Sequence, residues 1–320
     1  MKAKIIGVGS QVPDKVVTNN DLTKLVDTSD EWIQARTGIK ERRVSDENTP
    51  TSDLAISAAR KALASAKMAA QDLDLIIVGT TSPNYLFPSV GCILQNELNA
   101  KSAAAFDVSA ACSGFNYALT VATKFVESGS HKNVLVVGAD TLTKYLDWTD
   151  RGTCILFGDG AGAVVLTRSD DDSGVLASWL KAEGHLGHHL TMPGGGSRDP
   201  EQKRGRFIKM DGKEVFKFAI RVLGESIQEV LKQANLQIED VDLFIPHQAN
   251  ARIIDHVVKK FKLSPDKVFK NLEKYGNTSA ASIPLALDEA VAAGKIKKGD
   301  LVLLSGFGAG LTAGANLIRW

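Results

Sequence analysis

Asp74-Leu75-Ile76-Ile77-Val78 is a short apolar run behind one acid, and 168 positions later the chain repeats it as Asp242-Leu243-Phe244-Ile245-Pro246. Successive apolar positions over four or five residues suit a strand covered on both faces. A second pair, Val134-Leu135-Val136-Val137-Gly138 and Val302-Leu303-Leu304-Ser305-Gly306, has the same offset. Each first member follows an amphipathic helical pattern, Ser52 to Ala66 in one half and Val215 to Gln233 in the other, and each second member follows an Ala-rich one. Buried strands resemble one another by chance, but here two blocks and their flanking helices share one offset. A period this long, occurring only twice, reads as a duplicated α/β domain rather than a solenoid. The polar stretch Thr167-Arg168-Ser169-Asp170-Asp171-Asp172-Ser173-Gly174 reads as the joint, giving halves 1–170 and 171–320. Pro193 to Pro200, rich in glycine, reads as an exposed loop of the kind that covers a site.

The size agrees with two packed units, since 320 residues exceed the length at which single cores stop growing. With 44% hydrophobic and 23% charged residues the composition is that of an ordinary globular protein. Lys plus Arg (38) and Asp plus Glu (37) nearly cancel, so no global field draws the chain to nucleic acid or to an anionic membrane. The opening residues lack a signal-type apolar core and no later run reaches ~18 apolar residues, so a cytoplasmic protein without membrane contact is expected. Cys92, Cys112 and Cys154 form an odd set without C-x-x-C spacing, which argues against both a disulfide framework and a metal site and leaves room for one reactive thiol.

In Ala105-Phe106-Asp107-Val108-Ser109-Ala110-Ala111-Cys112-Ser113-Gly114-Phe115 an extended run meets small residues and then a helical pattern. Cys112 is thereby placed near a helix N-terminus, where free N–H groups are expected to lower the thiol pKa. Read locally, a buried structural thiol fits equally well. His247 follows the repeated strand Val241 to Pro246, at the end where α/β folds place ligands, although a lone histidine there is more often structural. Asn277, in Tyr275-Gly276-Asn277-Thr278-Ser279-Ala280-Ala281-Ser282, also fits ordinary turn and cap chemistry. The offset joins them: Cys112 maps to Ala280, three positions beyond Asn277, so both sit at matching helix starts that face each other across the pseudo-two-fold.

The strings Asp107 to Phe115, Pro246-His247-Gln248-Ala249-Asn250 and Gly276 to Ser282 resemble the three active-site motifs of the β-ketoacyl-acyl-carrier-protein synthase III family, in the thiolase superfamily. Phe157-Gly158-Asp159-Gly160-Ala161-Gly162-Ala163 is a fourth matching block, and the resemblance runs over essentially the whole chain. It implies an α/β thiolase fold with layered helices and two mixed five-stranded sheets, a homodimer, and a catalytic triad of Cys112, His247 and Asn277. It implies ping-pong chemistry with acyl-CoA and malonyl-acyl carrier protein as substrates and no resident cofactor or metal. Backbone N–H groups of Cys112 and Ala309 would form an oxyanion site. Phe307-Gly308-Ala309-Gly310 departs from the family, which usually has three glycines there, so a positive φ at Ala309 would be strained. Leu311-Thr312-Ala313 also departs, which bears on pocket shape.

The same resemblance places Thr28, Trp32, Arg36, Arg151 and Asn250 at the CoA site, and Phe87, Leu142 and Phe157 around the acyl group, with Phe87 crossing into the partner subunit. Thr28 and Glu31 form a capping-box pattern, which puts Trp32 and Arg36 on one helical face, suited to a purine and phosphate or simply to each other. Arg252, His256, Lys259 and Lys260 share one face of a helix, with Lys217 and Arg221 on another. Such stripes are usually solvated surface; their start five residues after His247 favours docking of an acidic carrier protein. The nearest rivals are a thiolase, which needs a second cysteine that the final glycine-rich loop lacks, and a starter enzyme of secondary metabolism. A non-catalytic carrier-binding homologue would have no use for the triad.

Overall fold

The computed structural model describes residues 2–320. The principal elements of the first half are β1 (Ala3–Gln11), α1 (Asp30–Thr37), α2 (Thr51–Ala66), β2 (Leu75–Gly79), α3 (Val90–Glu97), β3 (Ala104–Val108), α4 (Gly114–Glu127), β4 (Val134–Asp140) and β5 (Gly160–Arg168). Those of the second half are β6 (Gly174–Ala182), β7 (Leu190–Thr191), β8 (Lys209–Met210), α5 (Gly212–Ala234), β9 (Leu243–Pro246), α6 (Ala251–Phe261), α7 (Ser282–Ala292), β10 (Leu301–Gly308) and β11 (Thr312–Arg319).

The first sheet has the order β1-β5-β4-β2-β3 and the second β9-β10-β11-β6. Their pairing carries the duplication down to the residue. Leu75 stands opposite Val134 in the first sheet, and Leu243 opposite Val302 in the second, each shifted by 168. Ile6 bulges out of β1 and Leu176 bulges out of β6, the corresponding strand. The expectation of two five-stranded sheets needs correction, because the second has four strands. The counterpart of β3 shrinks to a single bridge between Phe244 and Val268. Gln248 explains why: its amide accepts from Asn271 N–H and donates to Phe269 O, so the segment's polar groups are satisfied without a longer ladder.

Alternation along the strands builds five layers. Leu75 and Ile77 face inward with Phe115 and Leu119 of α4, and meet Leu243, Ile245 and Leu304 of the other sheet with Ile283 and Leu287 of α7. Ile76 and Val78 face outward beneath α2 and α3, and Phe244 and Leu303 beneath α5 and α6. Helices α4 and α7 are thus sandwiched between the sheets, and their N-terminal ends meet at the centre. Among the described residues no helix is long and apolar enough to cross a membrane.

Candidate active site

The chain leaves β3, turns through Ala111 at φ +47°, and makes one 3-10 turn over Ala111–Ser113 before α4. The second half copies this: Ser279, 168 positions on, has φ +52° and starts the 3-10 turn Ser279–Ala281 before α7. A left-handed conformation is unfavourable for a residue with a Cβ, so its recurrence marks an inherited shape. The second turn packs so closely on β4 that a Cβ on Gly138 would lie 2.2 Å from the Ala280 carbonyl oxygen. Gly308, ending β10, closes the remaining side, where a Cβ would lie 2.5 Å from the Cys112 nitrogen.

His247 follows β9, its N–H donating to Ser305 O at 2.8 Å. Its Nδ1 lies 2.5 Å from Ser282 Oγ, and Phe307 meets the ring edge-on at 5.3 Å. A hydroxyl can pair with Nδ1 in either sense; with Ser282 as the donor, the ring proton resides on Nε2. That Nε2 is buried and without a protein partner. Asn277 is fixed by its backbone, which donates to Leu156 O at 2.8 Å and accepts from Gly158 N–H at 3.0 Å. Its Oδ1 accepts from Ser279 N–H at 2.8 Å, which leaves the Nδ2 hydrogens for a ligand.

Two cavities meet at the thiol. One, of about 140 Å³, is lined by Cys112, His247, Asn277 and Phe307 and opens past Phe216 and Asn250. The other, of about 260 Å³, is lined by Thr81, Cys112, Leu142, Phe157, Ile208 and Ser279. Burial pushes the Cys112 thiol up to about 12, Asp140 adds to the rise, and the Ser279 and Asn277 side chains pull the other way. The expected lowering by a helix N-terminus is therefore overturned, because desolvation of a thiol enclosed by apolar walls outweighs the turn's N–H groups. Burial pushes His247 down to about 3. The resting pair is a neutral thiol and a neutral imidazole.

The other expected residues fall into groups. Leu142 and Phe157 line the larger cavity; Phe87 does not, being 84% exposed beside Tyr85 and Leu86 at 62% and 83%. Ala309 lines the larger cavity without positive φ, which falls on Gly310 instead, so the feared strain is absent. The guanidinium of Arg151 stacks on Trp32 at 4.7 Å and that of Arg36 at 5.8 Å, while Asn250 donates to Arg36 O at 3.1 Å. The capping box is corrected: Ser29, not Thr28, caps α1 by accepting from Trp32 N–H, and the Thr28 hydroxyl is buried without a partner.

Helices α5 and α6 pack together, with Arg252 over Phe216 at 5.6 Å. Arg252, His256, Lys259 and Lys260 are exposed, and among the described residues none forms an ion pair. Arg221 differs, since Glu183 grips it at 2.7 Å and Glu225 at 2.9 Å, and Lys217 is paired with Glu214 at 2.7 Å. These two carry little free charge for a partner. Sequence reasoning missed Ser279 and Ser282, quoted within a motif but given no role, and also Thr81 and Ile208. Ile208 arrives from the far end of the 193–200 loop, which β7 and β8 clasp together.

Comparison with known proteins bears directly on this arrangement. Family profiles described as 3-oxoacyl-[acyl-carrier-protein] synthase III match residues 106–184 and, for its C-terminal part, 231–320. The β-ketoacyl-[acyl-carrier-protein] synthase III of Caldanaerobacter subterraneus subsp. tengcongensis is 54% identical over 99% of this chain and 98% of its own. The crystal structure of 3-oxoacyl-[acyl-carrier-protein] synthase III from Aquifex aeolicus has 52% identity and a TM-score of 0.94, covering 99% of this chain and 100% of that one. A priming β-ketosynthase of a polyketide pathway has a similar TM-score, 0.93, but only 36% identity, over 99% and 95% of the two chains. With the thiolase fold in common and identity above half along its full length, the chain belongs to the β-ketoacyl-[acyl-carrier-protein] synthase III family of acyl-transferring condensing enzymes.

Proposed function

We propose that Cys112 takes an acyl group from acyl-CoA, acetyl being the expected primer, and that this group is then joined to malonyl on an acyl carrier protein. The products are a 3-oxoacyl-carrier protein, CoA and carbon dioxide, and the reaction starts fatty-acid chains. The observation that carries this reading is the position of Cys112 at the junction of two cavities, one walled by Leu142, Phe157 and Ile208 and the other by His247, whose Nε2 has no partner, and Asn277, whose Nδ2 is unspent.

In the first step the Cys112 sulfur bonds to the thioester carbonyl carbon, the bond to the CoA sulfur breaks, and the thiol proton leaves on CoA. In the second, malonyl enters the smaller cavity, loses carbon dioxide, and leaves an enolate whose oxygen lies on the two N–H donors. Its methylene carbon attacks the acyl-enzyme, the thiolate departs, and one proton from solvent restores the thiol. The enclosed site strengthens both hydrogen bonds to the developing oxyanion. Every atom balances with acyl-CoA as a substrate, so no resident cofactor is needed.

Trp32, with the guanidinium groups of Arg36 and Arg151 at 5.8 and 4.7 Å from its ring, provides an aromatic, cationic surface suited to the CoA nucleotide, and Asn250 connects it to the smaller cavity. Arg252, His256 and Lys259 suit an acidic carrier protein. The contiguous exposed residues Tyr85, Leu86 and Phe87, together with the free edge of β3, suit a two-fold partner whose acyl cavity receives Phe87. The working compartment on this reading is the cytoplasm, where acyl-CoA and carrier protein meet. Intact-mass measurement after incubation with acetyl-CoA tests the core of the proposal. One acetyl should add, vanish in Cys112→Ala, and discharge when malonyl carrier protein is supplied; an adduct that survives Cys112→Ala would sink it.

A further inference from the structure

Ser279 is the one fully buried, unpartnered hydroxyl lining this centre, and the steps above leave it idle. It is 0% exposed, its Oγ has no hydrogen-bond partner, and it lines the larger cavity together with Cys112. Buried hydroxyls are normally paired, since leaving one unmade is costly. Thr81, in the same cavity, spends its hydroxyl on Asp140. Ser279 completes no hydrogen bond with its own, and the group it acts on is the Cys112 sulfur.

The duplication shows that the backbone does not ask for this hydroxyl. Ala111 occupies the equivalent position at φ +47°, against +52° for Ser279, and starts the same kind of turn. The methyl suffices for the fold in one half. In the other, a hydroxyl has been placed beside the sulfur. His247 and Asn277 line the smaller cavity, so their donors face the malonyl side and not the acyl side.

We propose that Ser279 is a catalytic residue of acyl loading, its hydroxyl donating a hydrogen bond to the Cys112 sulfur as that sulfur sheds its proton and bonds to the acyl carbonyl carbon. The carbon–sulfur bond to CoA breaks in the same step, and the departing CoA sulfur takes the proton. The inference rests on Cys112 being the acylated residue. The titratable groups around the sulfur are Asp140, ending β4, whose charge opposes a thiolate, and His247, which is neutral; the Ser279 hydroxyl is the largest side-chain influence in the thiolate's favour.

The test is Ser279→Ala, with two readings. Alkylation of Cys112 by iodoacetamide should slow by roughly 10- to 100-fold at a given pH, its rise with pH displaced to higher pH, as loss of a hydrogen bond to a charged atom requires. Loading from acetyl-CoA, followed by rapid quench and intact mass, should slow by a similar factor. Equal alkylation profiles for Ser279→Ala and wild type would overturn the proposal, as would slow loading with an undisplaced profile, because a packing defect does not move a titration. Should Ser279→Ala fold poorly, Ser279→Gly removes the hydroxyl while accepting positive φ. The alkylation profile needs no acyl donor, so it still decides the matter if wild type itself fails to load and the proposed function falls.

Discussion

Lowering the pH from about 7.5 to about 5.5 should leave the decarboxylation step nearly unchanged, although in the proposed mechanism a histidine supplies one of its two donors. An unperturbed imidazole, pKa ~6.5, would pass from about 91% neutral to about 9% neutral over that interval, a roughly tenfold change in its working form. His247 sits in a dry cavity that pushes its pKa down to about 3. The neutral form then exceeds ~99% at both pH values, because even the lower one stands more than two units above the pKa. The step to follow is release of carbon dioxide from malonyl carrier protein in a single turnover of pre-acylated enzyme. His247→Gln keeps an N–H donor and cannot titrate, so its profile should run parallel to that of wild type at a lower rate. His247→Ala removes the donor and should cost ~10²–10³ in rate. An inflection near pH 6.5 in wild type, missing in His247→Gln, would refute the assignment of a neutral buried donor.

Ser282→Ala removes the hydroxyl that places the ring proton on Nε2, and should slow decarboxylation about tenfold while leaving acyl loading intact; single-turnover measurement of the two half-reactions checks this. Gly308→Ala puts a methyl 2.5 Å from the Cys112 nitrogen, where only backbone movement relieves it, so loading should fall ~10²-fold, as displacements near 1 Å do. Replacing both Arg252 and Lys259 by Glu should raise KM for malonyl carrier protein, mostly through slower encounter, and spare acyl-CoA loading. The same change at Arg221, already held by Glu183 and Glu225, should act through local stability instead and shift the thermal midpoint.

The architecture was legible because duplication leaves a mark that physical packing preserves. The apolar runs at Leu75 and Leu243 had to keep their register to fill one core, so the offset of 168 read in the sequence is the offset of the strand pairing. Cys112 and Asn277 were legible as a pair for the same reason, since matched helix starts converge, and the family resemblance added His247, at the end of a repeated strand. The ionisation of Cys112 was not legible. A string shows a helix N-terminus, but the burial that outweighs it comes from Phe157, Leu142 and Gly308, far apart in sequence. Ion pairing escaped similarly: Arg221 looks free until β6 brings Glu183 across to it. The cap on α1 was misplaced by one residue, from Ser29 to Thr28, because two adjacent hydroxyls offer the same pattern and only the backbone turn chooses.

The loss of the fifth strand from the second half has a consequence for how copies of this chain add together. The first sheet ends in β3, whose outer side is unpaired, whereas the second ends in β9, covered by the segment that Gln248 ties down. In the two-fold pairing proposed above, β3 of one copy meets β3 of the other and both of these free edges are used, while β9 stays covered. A full fifth strand in the second half would have set a second such edge beyond β9, open to a further copy.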